Sequence, residues 1–174
     1  MDKGNYKYEI SASYGKMDHP GFTPHLSPEE MLSYGVFEGK YINDCWGEFP
    51  VEWYIGAIKN KTLSPERPNI DCNFFKIKSR QSLKVWRENG WIPIAKGDPD
   101  NRGWFQWYCR YYIGRRIPEI DEIQIKRWRA FNRHMGQVKK NYDPNTNDPL
   151  SFRPKQRQAL LQWGYNAFYP NNKP

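Results

Sequence analysis

The stretch Gly103 to Arg116, GWFQWYCRYYIGRR, sets six aromatic rings and three arginines within fourteen residues. Rings in such density either fill a core, where aromatic burial dominates the energetics, or stack against the bases of a nucleic acid. Trp104, Trp107, Tyr108, Tyr111 and Tyr112 recur at i, i+3, i+4, i+7 and i+8, which puts them on one face of a helix closed by Gly114. Stacking platforms are usually built on open sheets and grooves, so this seam reads as core. It leaves Gln106 and Arg110 on the outer side of the helix, with Arg115 and Arg116 just beyond its end.

A second pattern points to a partner. Lys126, Arg129, Arg133 and Lys140 fall at i, i+3, i+7 and i+14, forming a stripe about 21 Å long at 1.5 Å per residue, with Arg127 at its edge. Arg153, Lys155 and Arg157 open the next helix, where backbone N–H groups also favour anions. From residue 102 to residue 174 the chain carries 14 Lys and Arg against 5 Asp and Glu, while residues 1 to 101 are close to neutral. Charge gathered in this way steers polyanions. The expectation is a nucleic-acid-binding protein, DNA more than RNA and duplex DNA first, with Arg110, Arg115 and Arg116 extending the basic face. No zinc-finger spacing or basic region with heptads appears, and the loop between the last two helices is too long for a helix-turn-helix. Phosphate contacts with little sequence specificity follow.

Groups for catalysis are sparser. Asp44 and Glu48 stand at i, i+4 spacing and are the candidate carboxylate pair if one helix carries both. Such pairs are more often caps and surface charges, and a purely structural account has them answer the arginines as buried ion pairs. His134, beside Arg133, suits a core edge or a phosphate contact better than a base. No Walker loop or G-x-G-x-x-G motif is present, and no cofactor is expected. Cys45, Cys72 and Cys109 lack metal-site spacing, so they read as buried thiols and no metal is expected. Two alternatives stay open: a DNA- or base-modifying or repair enzyme using Asp44, Glu48 or His134, and a structural protein of a virion or larger assembly whose basic face meets an acidic protein partner.

The elements that must position these groups are mostly helices. SPEEMLSYG has Ser27, Pro28, Glu30 and Gly35 as helix start and stop signals. Pro50 opens a helix with Trp53, Tyr54, Ala57 and Ile58 as its seam, and Ser82 starts another with Leu83 and Trp86 inward. NFFKIK reads as a short extended run. The longest helix opens at Pro118 and runs to about Asn141, with a seam of Ile120, Ile123 or Gln124, Trp128, Phe131, Met135 and Val138. The last opens at Pro154 and turns Ala159, Leu160, Trp163 and Ala167 inward. A length of 174 residues supports one core, and 17% aromatic content means that core is built of rings. The expectation is a mainly α, single compact helical domain over residues 27–174, basic from 102 onward, with aromatic-rich irregular loops. Residues 1–26 form an arm expected to order only by lying on something else. No apolar run suits a membrane span and the first residues lack a signal-peptide pattern, so the expected setting is intracellular (cytoplasm, nucleus or virion), with no membrane partner.

Three blocks carry a resemblance: MLSYGVFEGKYINDCWGEFPVEWY, GWFQWYCRYYIGRR with QIKRWRAF and the following Arg133 and His134, and RPKQRQALLQW from Arg153 to Trp163. Together they resemble a family of small uncharacterised proteins spread among cellular genomes, phages and large DNA viruses. The likeness covers most of the chain from about Leu26, except that WIPIAKGDPDNRG is longer than the family's loop. It implies no catalytic residue. It does imply that the polar residues embedded in the blocks, among them Asp44, Glu48, Arg110, Arg127, Gln156 and Arg157, act as a unit.

Overall fold

Among the described residues, six α-helices and two short 3-10 helices account for the regular structure and no strand occurs; the computed structural model describes residues 6–90, 99–171 and 174. The chain is a mainly α single domain. Helix α1 (Pro28–Tyr34) starts as its capping box predicts: Ser27 Oγ accepts from the Glu30 amide, and Glu30 accepts from the Ser27 amide. Helix α2 (Val51–Lys59) packs along α1 and buries Trp53, Tyr54 and Ala57, while Ile58 lies on its exposed side. Helix α3 (Leu83–Glu88) is capped by Ser82, whose Oγ accepts from the Val85 amide. The expected extended run at Asn73–Lys78 is instead a series of turns and bends. There Phe74 and Phe75 pack on each other and on Phe168, and burying rings outweighs extended propensity where no neighbouring strand completes a ladder.

Helix α4 (Trp104–Tyr112) is the centre of the molecule, and the core reading of its rings holds. Burial goes beyond one face, however: Gln106 and Arg110, expected outside, are each only 4% exposed. A helix walled on several sides has no solvent face, so its polar residues must find internal partners. Helix α5 (Pro118–Lys140, 23 residues) lies against α4 and buries Gln124, Ile125, Trp128, Met135 and Val138. Gln124 rather than Ile123 is the seam residue, and Ile123 is exposed. Helix α6 (Pro154–Gln162) packs on α5 and buries Leu160 and Leu161. It ends sooner than its apolar pattern suggests, because Gly164 turns the chain with φ +71°. That turn brings Tyr165, Ala167 and Phe168 into the core as loop residues.

The N-terminal arm does find something to lie on, and it is this chain's own body. Gly114 O accepts from the Ser11 and Ala12 amides at 3.0 Å each, and Tyr112 O accepts from the Gly15 amide at 2.7 Å. Gly114 has φ +112°, and a Cβ there would sit 2.1 Å from Ala12 O, so only glycine lets the arm approach. Further along, Phe22 is fully buried among Trp107, Tyr108, Tyr111 and Trp128, with ring centroids 5.0–5.5 Å away. Residues 6–26 therefore belong to the domain they cover. Residues 91–98, most of the WIPIAKGDPDNRG loop, lie outside the described residues.

Candidate nucleic-acid interface

The arginines of the second half divide into two populations. In the first, the guanidinium is held by internal acceptors, although Arg115 Nε has no hydrogen-bond partner among the described residues. Arg110, inside α4, donates to both oxygens of Glu48 at 2.6 and 3.3 Å, to Asp100 Oδ1 at 2.9 Å and to the carbonyl of Pro99. Arg115 is 1% exposed and grips the same fully buried Asp100 with two bonds, at 2.9 and 2.5 Å. Tyr8 donates to Glu48 at 3.2 Å, and Tyr6 lies 4.7 Å beneath the Arg110 guanidinium, so the arm roofs this network. Arg116 is pinned over the Tyr111 ring at 3.6 Å, pairs with Asp18 and donates to Lys16 O. Burial works against the Asp18 charge, but bonds from Tyr111 and Arg116 bring its carboxyl below the ordinary value.

Arg157 is the extreme case. It is 0% exposed, has no carboxylate partner among the described residues, and donates to four backbone carbonyls, those of Phe152, Ala167, Tyr169 and Pro149, at 2.7–2.8 Å. Burial pushes its pKa down. Expected as phosphate contacts, Arg110, Arg115 and Arg157 are instead removed from the candidate interface. Their donors are aimed inward, and exposing them would leave buried acceptors unpaired. Arg116 is likewise engaged with the arm.

The candidate carboxylates answer these cations. Residues 41–50 form turns rather than a helix, so Asp44 and Glu48 share no helix face. Asp44 takes a two-pronged pair from Arg102 at 2.5 and 2.6 Å, and those bonds hold its carboxyl below the usual range, so it is ionised at neutral pH. Glu48 is held by Arg110 and Tyr8. His134 is half-buried, packs on the Phe131 ring with centroids 4.4 Å apart, and shares a hydrogen bond with Gln156 through Nδ1 at 3.0 Å. Burial, and then the neighbouring Arg133 charge, lowers its pKa. Burial raises the thiol pKa values of Cys45, Cys72 and Cys109, all of which are free. No metal-binding group of three or more His, Cys, Asp or Glu occurs among the described residues.

The second population is the surface stripe. Lys126, Arg129, Arg133 and Lys140 are exposed on α5, and at 100° per residue they fall within an arc of about 60°. None has an acidic partner within salt-bridge distance among the described residues. Arg127, at the edge, is half-buried, with its guanidinium over the Trp86 ring at 5.6 Å. The tertiary structure joins the start of α6 to this stripe. Gln156 donates to Gln137 Oε1 at 2.6 Å and contacts His134, which brings the exposed Arg153 and Lys155 beside the C-terminal half of α5. Sequence reasoning missed Lys139, exposed near the Tyr169 ring, and Arg102 and Asp100, the latter buried inside a polar DPDN stretch that reads as open loop. No short-range pattern distinguishes an aspartate that caps a turn from one that neutralises two distant arginines.

Compared with protein-family models, with curated proteins and with solved structures, the chain matches none. No helix among the described residues is long and apolar enough to cross a membrane.

Proposed function

We propose that this protein binds nucleic acid, duplex DNA first, through phosphate contacts with little base discrimination. The observation that supports the reading is the stripe of Lys126, Arg129, Arg133 and Lys140, exposed without acidic partners among the described residues and continued by Arg153 and Lys155. Unlike the buried arginines, the four α5 side chains make no ion pair among the described residues that a phosphate would break, and each contact releases condensed counterions. The stripe presents charge but few base-reading groups at regular intervals, which favours backbone binding over sequence readout.

The test is the salt dependence of affinity. Binding of a short duplex is measured by fluorescence anisotropy at several salt concentrations, for the natural protein and for Arg129→Glu with Arg133→Glu. The expected slope of log affinity against log salt falls by about 0.9 per lost phosphate contact, about 1.8 in all. An unchanged slope overturns the surface, and failure of duplex, single strand and RNA alike to bind at low salt overturns the ligand class in favour of an acidic protein.

A further inference from the structure

The basic stripe changes sign at its N-terminal end. Glu119 and Glu122 are exposed on the same face of α5, one to two turns before Lys126, and Glu122 is also where the N-terminal arm reaches the helix. Between arm and helix runs an open groove of about 790 Å³ with the buried Ile125, Trp128 and Tyr165 among its lining. The Trp128 and Tyr165 rings stack 4.8 Å apart, and Tyr165 Oη donates to Trp128 O, so this part of the lining is rigid. From α5 come Lys126, Arg129 and Asn132, and from the arm His19, Thr23 and His25.

The two histidines have defined donor roles. His19 Nδ1 accepts from the Gly21 amide at 3.0 Å, so Nε2 carries the proton and donates to Glu122 Oε1 at 3.0 Å. This bond ties the arm to the helix and occupies the acidic residue of the groove. His25 Nδ1 accepts from the Asn166 amide at 3.0 Å, which leaves the proton on Nε2. The described lining therefore includes two full cations, one carboxylate already held, and the neutral polar side chains of Thr23 and Asn132. Arg129 serves both the groove and the stripe, and a Cβ on Gly21 would lie 3.5 Å from its Nη1, so the guanidinium already reaches the arm.

We infer that this groove receives a phosphate monoester, the terminal phosphate of a DNA strand whose body lies on the basic stripe; the inference rests on the nucleic-acid reading above. A strand running toward the start of α5 meets the His19–Glu122 tie and the carboxylates of Glu119 and Glu122, which block and repel a continuing polyanion. A strand end meets neither difficulty. Its monoester carries about −1.5 to −2 at pH 7, more than an internal diester, and gains correspondingly from paired cations. The volume lies in the usual range for small-ligand sites, about 300–1,000 Å³, and has room for a terminal nucleotide.

The experiment compares three duplexes of one sequence, with 5′-phosphate, 3′-phosphate or only hydroxyl ends, and adenosine monophosphate alone. One phosphorylated duplex is expected to bind about tenfold more tightly than the hydroxyl duplex, as one well-made charged contact gives. Thr23→Val with Asn132→Ala, both outside the stripe, should reduce that ratio and leave hydroxyl-duplex affinity unchanged. Should that variant misfold by circular dichroism, Lys126→Ala read as the same ratio serves instead, because stripe losses cancel. Equal affinity for all three duplexes overturns the groove assignment while leaving the stripe intact. Tight binding of the mononucleotide with no preference among duplexes assigns the phosphate to a free nucleotide and overturns the strand end. Failure to bind the hydroxyl duplex defeats the stripe reading itself.

Discussion

Replacing Arg157 with alanine separates a structural cation from a ligand-binding one. The side chain is fully buried, and its four donated bonds join the segment before α6, at Pro149 and Phe152, to the segment after it, at Ala167 and Tyr169. Charged hydrogen bonds contribute about 1.5–3 kcal/mol each when measured singly, but the sum overstates this case. Pro149, Phe152 and Tyr169 are only half-buried, so their carbonyls regain water, and the guanidinium's own desolvation cost disappears with it. Breaking a buried charged network costs about 3–5 kcal/mol, and at about 2–4 °C per kcal/mol for a domain of this size the melting temperature should fall by about 6–20 °C. Arg157→Lys should recover little, since three donors on one nitrogen cannot reach four carbonyls set around a planar fork. Thermal melting by circular dichroism, run beside duplex binding at a temperature where the variant is folded, reads both effects. A variant that melts with the natural protein but binds DNA weakly would refute the structural assignment and return Arg157 to the phosphate-contact set.

Four further outcomes are expected. Asp100→Ala leaves Arg110 and Arg115 without their shared carboxylate and should destabilise by about 3–5 kcal/mol in a denaturant titration; a loss under 1 kcal/mol would contradict the network. Gly114→Ala combines a left-handed backbone, costing about 1–2 kcal/mol, with a clash against Ala12 O, so the arm should become protease-sensitive between residues 6 and 21 while the rest of the chain resists. His134 has a folded pKa below its unfolded value, so the unfolded state binds more protons. Stability is therefore full above about pH 6.5 and is lost as pH falls below it toward the lower folded pKa, a dependence that His134→Gln should flatten. The thiols should alkylate slowly at neutral pH until the chain unfolds, because burial lifts Cys45 to about 11 and raises Cys109 well above the ordinary thiol value, whereas rapid labelling of Cys109 in the folded protein would contradict its burial.

Legibility in the sequence followed the range of the interactions. Caps and helix starts were readable because they are settled within four residues, as at Ser27, Ser82, Pro118 and Pro154. The α4 rings were readable as core because their spacing exceeds what a solvent-facing helix carries. The outward placement of Gln106 and Arg110 failed because periodicity describes one helix in isolation. It cannot count how many neighbours surround that helix. The same blindness applied to the cations: Arg110 inside α4 and Arg157 inside α6 looked no different in sequence from Arg129 and Arg133, since every arginine carries the same charge until its neighbours are known. The clue available was the acidic share of residues 1–101, and it could not say which acid met which arginine.

The amino-acid order by itself determined a helical, ring-built chain with a basic second half and the spacing of the α5 stripe, because these follow from residue type and the 3.6-residue turn. Only the tertiary structure decided which charges remain for a partner. Asp18, Asp44 and Glu48 of the first half neutralise Arg116, Arg102 and Arg110 across 98, 58 and 62 residues of chain, Asp100 neutralises Arg115 across 15, and backbone carbonyls absorb Arg157. Desolvating a guanidinium is tolerated only where acceptors surround it, so each inward arginine had to be matched by acceptors that the folded chain brings to it from outside its own helix. Among the described residues, Lys126, Arg129, Arg133 and Lys140 are second-half cations that no acidic partner claims, and they share one face of α5.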